Sequence, residues 1–65
     1  MNEEIGNVAG QIWRLLKERD ELSISSVVQG IPAPQSSVYM ALGWLAREDK
    51  LQFVKKTRGM AVKLK

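Results

Sequence analysis

The residues from Ser36 to Leu51 read Ser-Ser-Val-Tyr-Met-Ala-Leu-Gly-Trp-Leu-Ala-Arg-Glu-Asp-Lys-Leu, and this stretch decides the fold. At about 100° per residue, one face of a helix here carries only apolar side chains, namely Val38, Ala41, Leu42 and Leu45. Pro34 suits the helix start, because the amide hydrogen that proline lacks would be unpaired there. The stretch therefore predicts a helix from Pro34 to Glu48. The residues expected to point away from the core are Ser36, Met40, Gly43 and Arg47.

Two short, partly alternating segments follow this helix and predict a β-hairpin. They run from Leu51 to Lys56 and from Met60 to Leu64. The turn Thr57-Arg58-Gly59 between them suits a hairpin, because Gly59 can take a positive φ.

The residues before Pro34 predict a further helix, a brief strand and a short second helix. Apolar residues at three- and four-residue steps indicate an amphipathic helix from about Asn2 to Glu18, with Asn2 as its cap: Ile5, Val8, Ala9, Ile12, Leu15 and Leu16. Trp13 flanks this stripe and is interpreted as a partly buried edge of the core. Leu22-Ser23-Ile24 predicts the strand, and Ser25 is the expected cap of a second helix that stops by Gly30.

A chain of 65 residues is expected to form a single α+β domain spanning residues 1–65, with the order α-β-α-α-β-β. It has no cysteine and no histidine, which excludes disulfides, thiolate nucleophiles and the usual zinc ligands. Its acidic residues cluster at element ends as in solvated turns, and no phosphate-binding glycine loop is present. We therefore expect no enzymatic activity, no cofactor, no metal and no small-molecule substrate.

The N-terminus is acidic where a secretory signal would be basic, and no apolar window approaches the roughly 18 residues that a membrane span requires. These features predict a cytoplasmic protein with no membrane partner.

The net charge of +3 is distributed unevenly along the chain. Residues 1–22 hold five acids and three bases (−2), residues 23–46 hold no charge, and residues 47–65 hold seven bases and two acids (+5). This basic C-terminal segment either contacts phosphates or serves solubility and blocks edge pairing of the hairpin. With about four phosphates neutralised, log K would fall against log salt with a slope of about −3.6.

The predicted order of elements resembles the winged helix-turn-helix domain, and the resemblance covers nearly the whole chain. Its most specific part runs from Val38 to Leu51, where an apolar helix ends in acidic residues before a strand. The sequence Ala-Leu-Gly-Trp-Leu-Ala-Arg-Glu is similar to the corresponding sequence in a family of short, stand-alone prokaryotic winged-helix proteins of unassigned function. The implied fold is three helices with a C-terminal β-hairpin wing.

The resemblance implies that the third helix docks in the major groove of double-stranded DNA and that the hairpin lies along the backbone. The residues it places at the recognition helix are Gln35, Ser36, Ser37, Tyr39 and Met40, and those it places on the wing are Lys55, Lys56, Thr57 and Arg58. Gln35 and the two serines are equally typical of an ordinary helix start. Arg47 is the only cation in the third helix, so the expected binding is weak and largely driven by phosphate contacts, as in a transcriptional regulator or accessory factor.

The third helix also predicts an alternative function without DNA binding. Methionine, glycine and aromatic residues on an exposed face often mark a protein interface, and the residues assigned to it are Met40, Gly43, Trp44 and Arg47. The partner would be another protein or a second copy in a homodimer. Met40 is expected to be partly exposed, whereas Trp44 is expected to be buried under the hairpin against Phe53 and the first helix.

Overall fold

The structure is a computed structural model that describes the backbone of residues 2–65 and the side chains from Glu3 onward. Its elements are, in chain order, α1 (Asn2–Arg19), β1 (Glu21–Ser23), α2 (Ile24–Gly30), α3 (Gln35–Arg47), β2 (Leu51–Lys56) and β3 (Gly59–Leu64). This confirms the predicted order, with helix and strand ends shifted by one or two residues at several places. The cap predicted at Asn2 lies outside the described side chains.

The core lies between α1, α3 and the inner face of the sheet. Ile12, Val38 and Val62 are completely inaccessible to solvent and represent these three elements. The apolar stripes predicted for both long helices are confirmed, except that Ile5 and Leu15 are only partly buried. The buried apolar cluster comprises Val8, Ala9, Ile12, Leu16, Val27, Ile31, Val38, Ala41, Leu42, Leu45, Leu51 and Val62.

The three strands form an antiparallel sheet in the order β1-β3-β2. Strand β1 pairs only with residues 61–63 of β3, whereas β2 pairs with β3 along its whole length. The last two β2–β3 pairs, Lys55 with Met60 and Lys56 with Gly59, therefore extend past β1 as a two-stranded hairpin end. Below we call residues 55–60 the wing.

The start of α2 differs from the prediction. Ser23, not Ser25, is the N-cap: its hydroxyl oxygen accepts a hydrogen bond from the amide of Ser26 at 3.1 Å. The chain leaves the sheet at Ser23, whose extended backbone is typical of a cap, so Ile24 already begins the helix. The predicted strand was one residue too late for the same reason.

Two aspartates adopt left-handed backbone conformations immediately after helices. Asp20 has φ 66° and Asp49 has φ 61°, and Gly59 at the wing turn has φ 101°, which confirms the predicted role of that glycine. The amide of Asp20 donates to the carbonyl oxygen of Leu16 at 2.9 Å, so this residue closes the end of α1. Glycine adopts such a conformation without the steric strain that a Cβ atom causes.

Asp20→Gly is therefore expected to raise the free energy of unfolding by about 0.5 to 1 kcal/mol, in a urea titration followed by circular dichroism. The substitution removes the strain of the Cβ atom and also a negative charge at the negative end of α1. Asp49→Gly is the matched comparison, and a smaller gain is expected there because Asp49 also pairs with Lys65. A loss of stability in Asp20→Gly would contradict the strain argument.

Candidate nucleic-acid interface

The N-terminus of α3 is open to solvent and has no side-chain cap. Pro34 occupies the cap position, and the first helical hydrogen bond runs from the amide of Val38 to the carbonyl oxygen of Pro34 at 3.1 Å. The amides of the preceding helical residues thus keep their hydrogen atoms directed out of the helix end, where the helix dipole is positive. Such an end favours an anionic oxygen, including that of a phosphate.

Two of the predicted recognition residues contact each other on the surface of α3. Nε2 of Gln35 donates a hydrogen bond to the hydroxyl oxygen of Tyr39 at 3.2 Å, and both side chains are exposed. Ser36 is also exposed beside them. This part of α3 therefore presents amide and hydroxyl groups, but no positive charge, to a binding partner.

Ser37 does not belong to this surface, and its assignment to base contact is wrong. The residue is only 6% exposed, and its hydroxyl donates to Oε1 of Glu4 in α1 at 3.1 Å. Ser37 lies one position before Val38 and four before Ala41, so helical periodicity turns it toward the core. That spacing is the sequence signal that could have identified it as a link between the two helices.

The wing carries the predicted basic residues at its exposed end. Lys55, Lys56, Thr57 and Arg58 are all exposed. Nζ of Lys56 lies 2.9 Å from Oε2 of Glu21, and this ion pair spans β3 to join β2 to β1. The contact was not predicted, because Glu21 and Lys56 are far apart in sequence and meet only through the strand order.

Most of the basic C-terminal segment is free of ion pairs. Of its seven basic side chains, Lys56 pairs with Glu21 and Lys65 pairs with Asp49. Within residues 3–65, no ion pair involves the other five (7 − 2 = 5), which are Arg47, Lys50, Lys55, Arg58 and Lys63. The positive field of residues 47–65 therefore faces solvent and is available to a polyanion.

Of the two large apolar residues assigned to the α3 interface, one has the expected exposure and the other does not. Met40 is 41% exposed, which confirms its partial exposure, and it lines a shallow groove with Gly43, Trp44 and Arg47. Trp44 is 42% exposed, so its predicted burial under the hairpin is wrong. The space under the sheet is filled by buried residues, among them Leu45, Leu51 and Val62, while Trp44 turns toward α1 and Phe53 remains 40% exposed.

None of the helices within residues 2–65 is both long and apolar enough to span a membrane. The described side chains also contain no cluster of three or more acidic, histidine or cysteine residues that could hold a metal ion.

The chain has three helices followed by a hairpin wing, with a short strand between the first two helices. This fold defines it as a winged helix-turn-helix protein. The chain belongs to the family described as winged helix-turn-helix domain (DUF2582), whose model matches residues 1–64. This confirms the resemblance inferred from the stretch between Val38 and Leu51.

The chain is also similar to two known proteins. The uncharacterized protein MJ1608 of Methanocaldococcus jannaschii is 38% identical over 64 residues, which cover 95% of this chain and 91% of that relative. The solution NMR structure of protein BT2368 from Bacteroides thetaiotaomicron has a TM-score of 0.84 and 31% identity, covering 98% of this chain and 79% of that one. The chain is thus similar to an archaeal and to a bacterial protein.

Proposed function

We propose that this protein binds double-stranded DNA, with the start of α3 at the major groove and the wing along the phosphate backbone. The observation that supports it best is the wing, which projects beyond β1 with Lys55 and Arg58 exposed and outside any described ion pair. The uncapped start of α3 supplies oriented amides as the second element of the proposed surface. Winged-helix proteins use these two elements for DNA, which makes this arrangement the natural assignment.

The proposed binding is weak and mainly phosphate-driven, as suits a transcriptional regulator or accessory factor. The exposed face of α3 has no cation before Arg47, near the far end of the helix. Gln35 is the residue best suited to a base, because its amide can pair with adenine once it leaves Tyr39. One such contact discriminates between sequences far less than a set of arginines.

We propose a binding role without catalysis, because the proposed surface uses side chains as phosphate and base contacts only. The relatives come from an archaeon and a bacterium, so a cytoplasmic location would place the protein with the chromosome.

A titration with random-sequence duplex DNA, followed by backbone amide shifts, tests the proposal. We expect shifts at residues 35–40 and 55–59. With a slope of about −3.6, affinity should fall about 150-fold between about 50 mM and about 200 mM salt. The amides of Leu51 and Leu64, which pair at the end of the sheet away from the wing turn, serve as the internal control. Absence of shifts at the lower salt concentration would contradict DNA binding.

The exposed α3 face supports a second candidate function, the docking of a partner protein without DNA. Met40 and Trp44 are both more than two-fifths exposed beside Gly43 and Arg47, and aromatic residues, methionine and arginine are enriched at protein interfaces. Met40→Glu is expected to abolish such docking while leaving the helical signal intact. Ser36→Glu adds the same charge one helical turn earlier and should have little effect. Unchanged capture of the partner by Met40→Glu would exclude this face.

A further inference from the structure

A second apolar groove lies between α1 and the C-terminal end of α3. Trp13 and Trp44 line it, and they are 37% and 42% exposed. The other lining residues are Gly6, Ala9 and Gly10 of α1 and, from α3 onward, Leu45, Glu48 and Lys50. The groove is distinct from the start of α3 and from the wing, so the proposed DNA surface does not account for it.

The outer face of α1 continues this groove as a regular seam. Its members are separated by alternating steps of three and four residues, namely Glu3, Gly6, Gly10, Trp13 and Lys17. Alternating steps of this kind are the spacing with which one helix packs along another. None of these residues belongs to the buried core, and within the chain the Arg14 guanidinium contacts Gly10.

The glycines of the seam are not explained by the chain itself. A Cβ atom at Gly6 would meet nothing within 4 Å, and at Gly10 it would meet only the Arg14 guanidinium at 3.7 Å. Both lie inside α1 without positive φ, so neither backbone conformation nor internal packing requires glycine. Glycine weakens a helix interior, whereas it permits close approach by another molecule.

The charges at the two ends of the seam are complementary to those of a second, antiparallel α1 helix. Glu3 lies at its N-terminal end and Lys17 at its C-terminal end, with Nζ of Lys17 above the Trp13 ring at 4.7 Å from the centroid. A second α1 running antiparallel would bring each Glu3 to the partner's Lys17. The same arrangement sets each Trp13 over the partner's Gly6, because both pairs are centred near Gly10. A parallel arrangement would instead oppose like charges.

We propose that two copies of this chain associate through antiparallel α1 helices, related by a two-fold axis near Gly10. Such an isologous interface uses one self-complementary surface twice. The seam from Glu3 to Lys17 is about 21 Å long. A specific interface needs about 600 Å² per partner, roughly one eighth of the surface area of 4602 Å². A helix face about 21 Å long and about 10 Å wide is smaller than that, so the dimer must also bury the adjoining flank of α3.

This proposal does not depend on DNA binding. The homodimer predicted from Met40 and Gly43 would use the outer face of α3, whose groove shares Trp44 and Glu48 with the groove beside the α1 seam. Gln35, Ser36 and the wing lie outside the seam, so a dimer formed here would keep two copies of the proposed DNA surface accessible.

Charge exchange in sedimentation velocity experiments, from about 1 µM to about 1 mM protein, tests the proposal. Glu3→Lys and Lys17→Glu should each weaken self-association about tenfold, because each turns two attractive pairs into repulsive ones. A mixture of the two variants should associate again, since both ends of the mixed dimer then pair a lysine of one copy with a glutamate of the other. The double variant should also recover the wild-type dimer. Both single changes oppose the helix dipole, so recovery in the double variant cannot come from improved folding.

Close packing over the glycines has its own test. Gly6→Leu should weaken the dimer more than about tenfold while circular dichroism shows an intact helix, because the side chain fills the space for the partner's Trp13. Gln11→Leu is the matched control: it adds the same side chain to the opposite flank of α1 and should leave association unchanged.

Three results would overturn the proposal. They are a chain that stays monomeric throughout this concentration range, single variants that fail to associate when mixed, and a Gly6→Leu variant that dimerises as well as Gln11→Leu. A monomer that still shows the amide shifts with DNA would overturn the dimer alone, which separates this inference from the proposed function.

Discussion

Replacing Lys55, Lys56 and Arg58 together with glutamate is expected to lower the affinity for duplex DNA by about 500-fold at about 0.1 M salt. If these cations supply three of about four phosphate contacts, the salt slope falls from about −3.6 to about −0.9. The two slopes differ by about 2.7, and 0.1 M lies one decade below the 1 M reference at which counterion release contributes nothing. The loss of counterion release therefore lowers the affinity by a factor of about 10^2.7, or about 500. Repulsion from the new carboxylates adds to it. Fluorescence anisotropy at several salt concentrations measures both the affinity and the slope.

The position of the charge, and not the net charge, should decide this effect. Arg58→Glu and Lys50→Glu make the same change in net charge within the same basic segment. Lys50 precedes the end of the sheet where Leu51 pairs with Leu64, which is about 17 to 20 Å along the strands from the wing turn. That separation exceeds the Debye length of about 8 Å at physiological salt, so Lys50→Glu should change affinity little. Equal losses in the two variants would indicate a diffuse field instead of a wing contact.

The ion pair between Lys56 and Glu21 allows a change of the opposite sign. Both side chains are substantially exposed, so the pair stabilises the fold by no more than about 1 kcal/mol. Glu21→Gln should therefore raise DNA affinity a few-fold, because it frees Lys56 and removes a carboxylate near the wing. A decrease in affinity would show that Glu21 serves DNA binding by holding Lys56 in place.

Ile12→Ala is expected to cost about 2 to 5 kcal/mol of unfolding free energy. Ile12 is completely buried where α1 packs on the core, and its truncation removes apolar contacts and leaves a cavity. At about 0.05 to 0.15 kcal/mol per residue, the whole chain has about 3 to 10 kcal/mol of stability. The variant should therefore lose a large share of its stability and unfold at a clearly lower urea concentration.

Urea unfolding followed by circular dichroism and tryptophan fluorescence measures this loss at fixed protein concentration. Gln11→Ala is the matched control at the neighbouring position, and a change of about 0.5 kcal/mol or less is expected there because Gln11 is only partly buried. A loss below about 1 kcal/mol in Ile12→Ala would place the centre of the core elsewhere.

The elements that sequence reasoning located correctly are those decided by local periodicity and turn chemistry. Val38, Ala41, Leu42 and Leu45 follow a helical repeat, and all four are buried. Gly59 was identified from the tolerance of glycine for positive φ, which the structure shows. Both predictions depend only on neighbours within a few residues, so they can be made without knowledge of the tertiary structure.

The residues that were misplaced depend on contacts between distant segments. Ser37 was assigned to DNA as a helix-start serine, but Glu4 of the first helix binds its hydroxyl group. Trp44 was assigned to the core, but the space under the sheet is filled by other side chains, and Trp44 faces α1. Periodicity gives the direction of a side chain around its helix, whereas burial depends on which element packs against that side.

For this protein, the amino-acid sequence by itself determined the order of helices and strands, the winged-helix class and the basic character of residues 47–65. These follow from local repeats, turn residues and charge, which are properties of the chain before it folds. Only the tertiary structure decided that Ser37 is buried, that Lys56 is tied to Glu21, and that Trp13 and Trp44 flank a common groove. These depend on strand order and on the packing of α1 against α3, where residues distant in sequence compete for the same space.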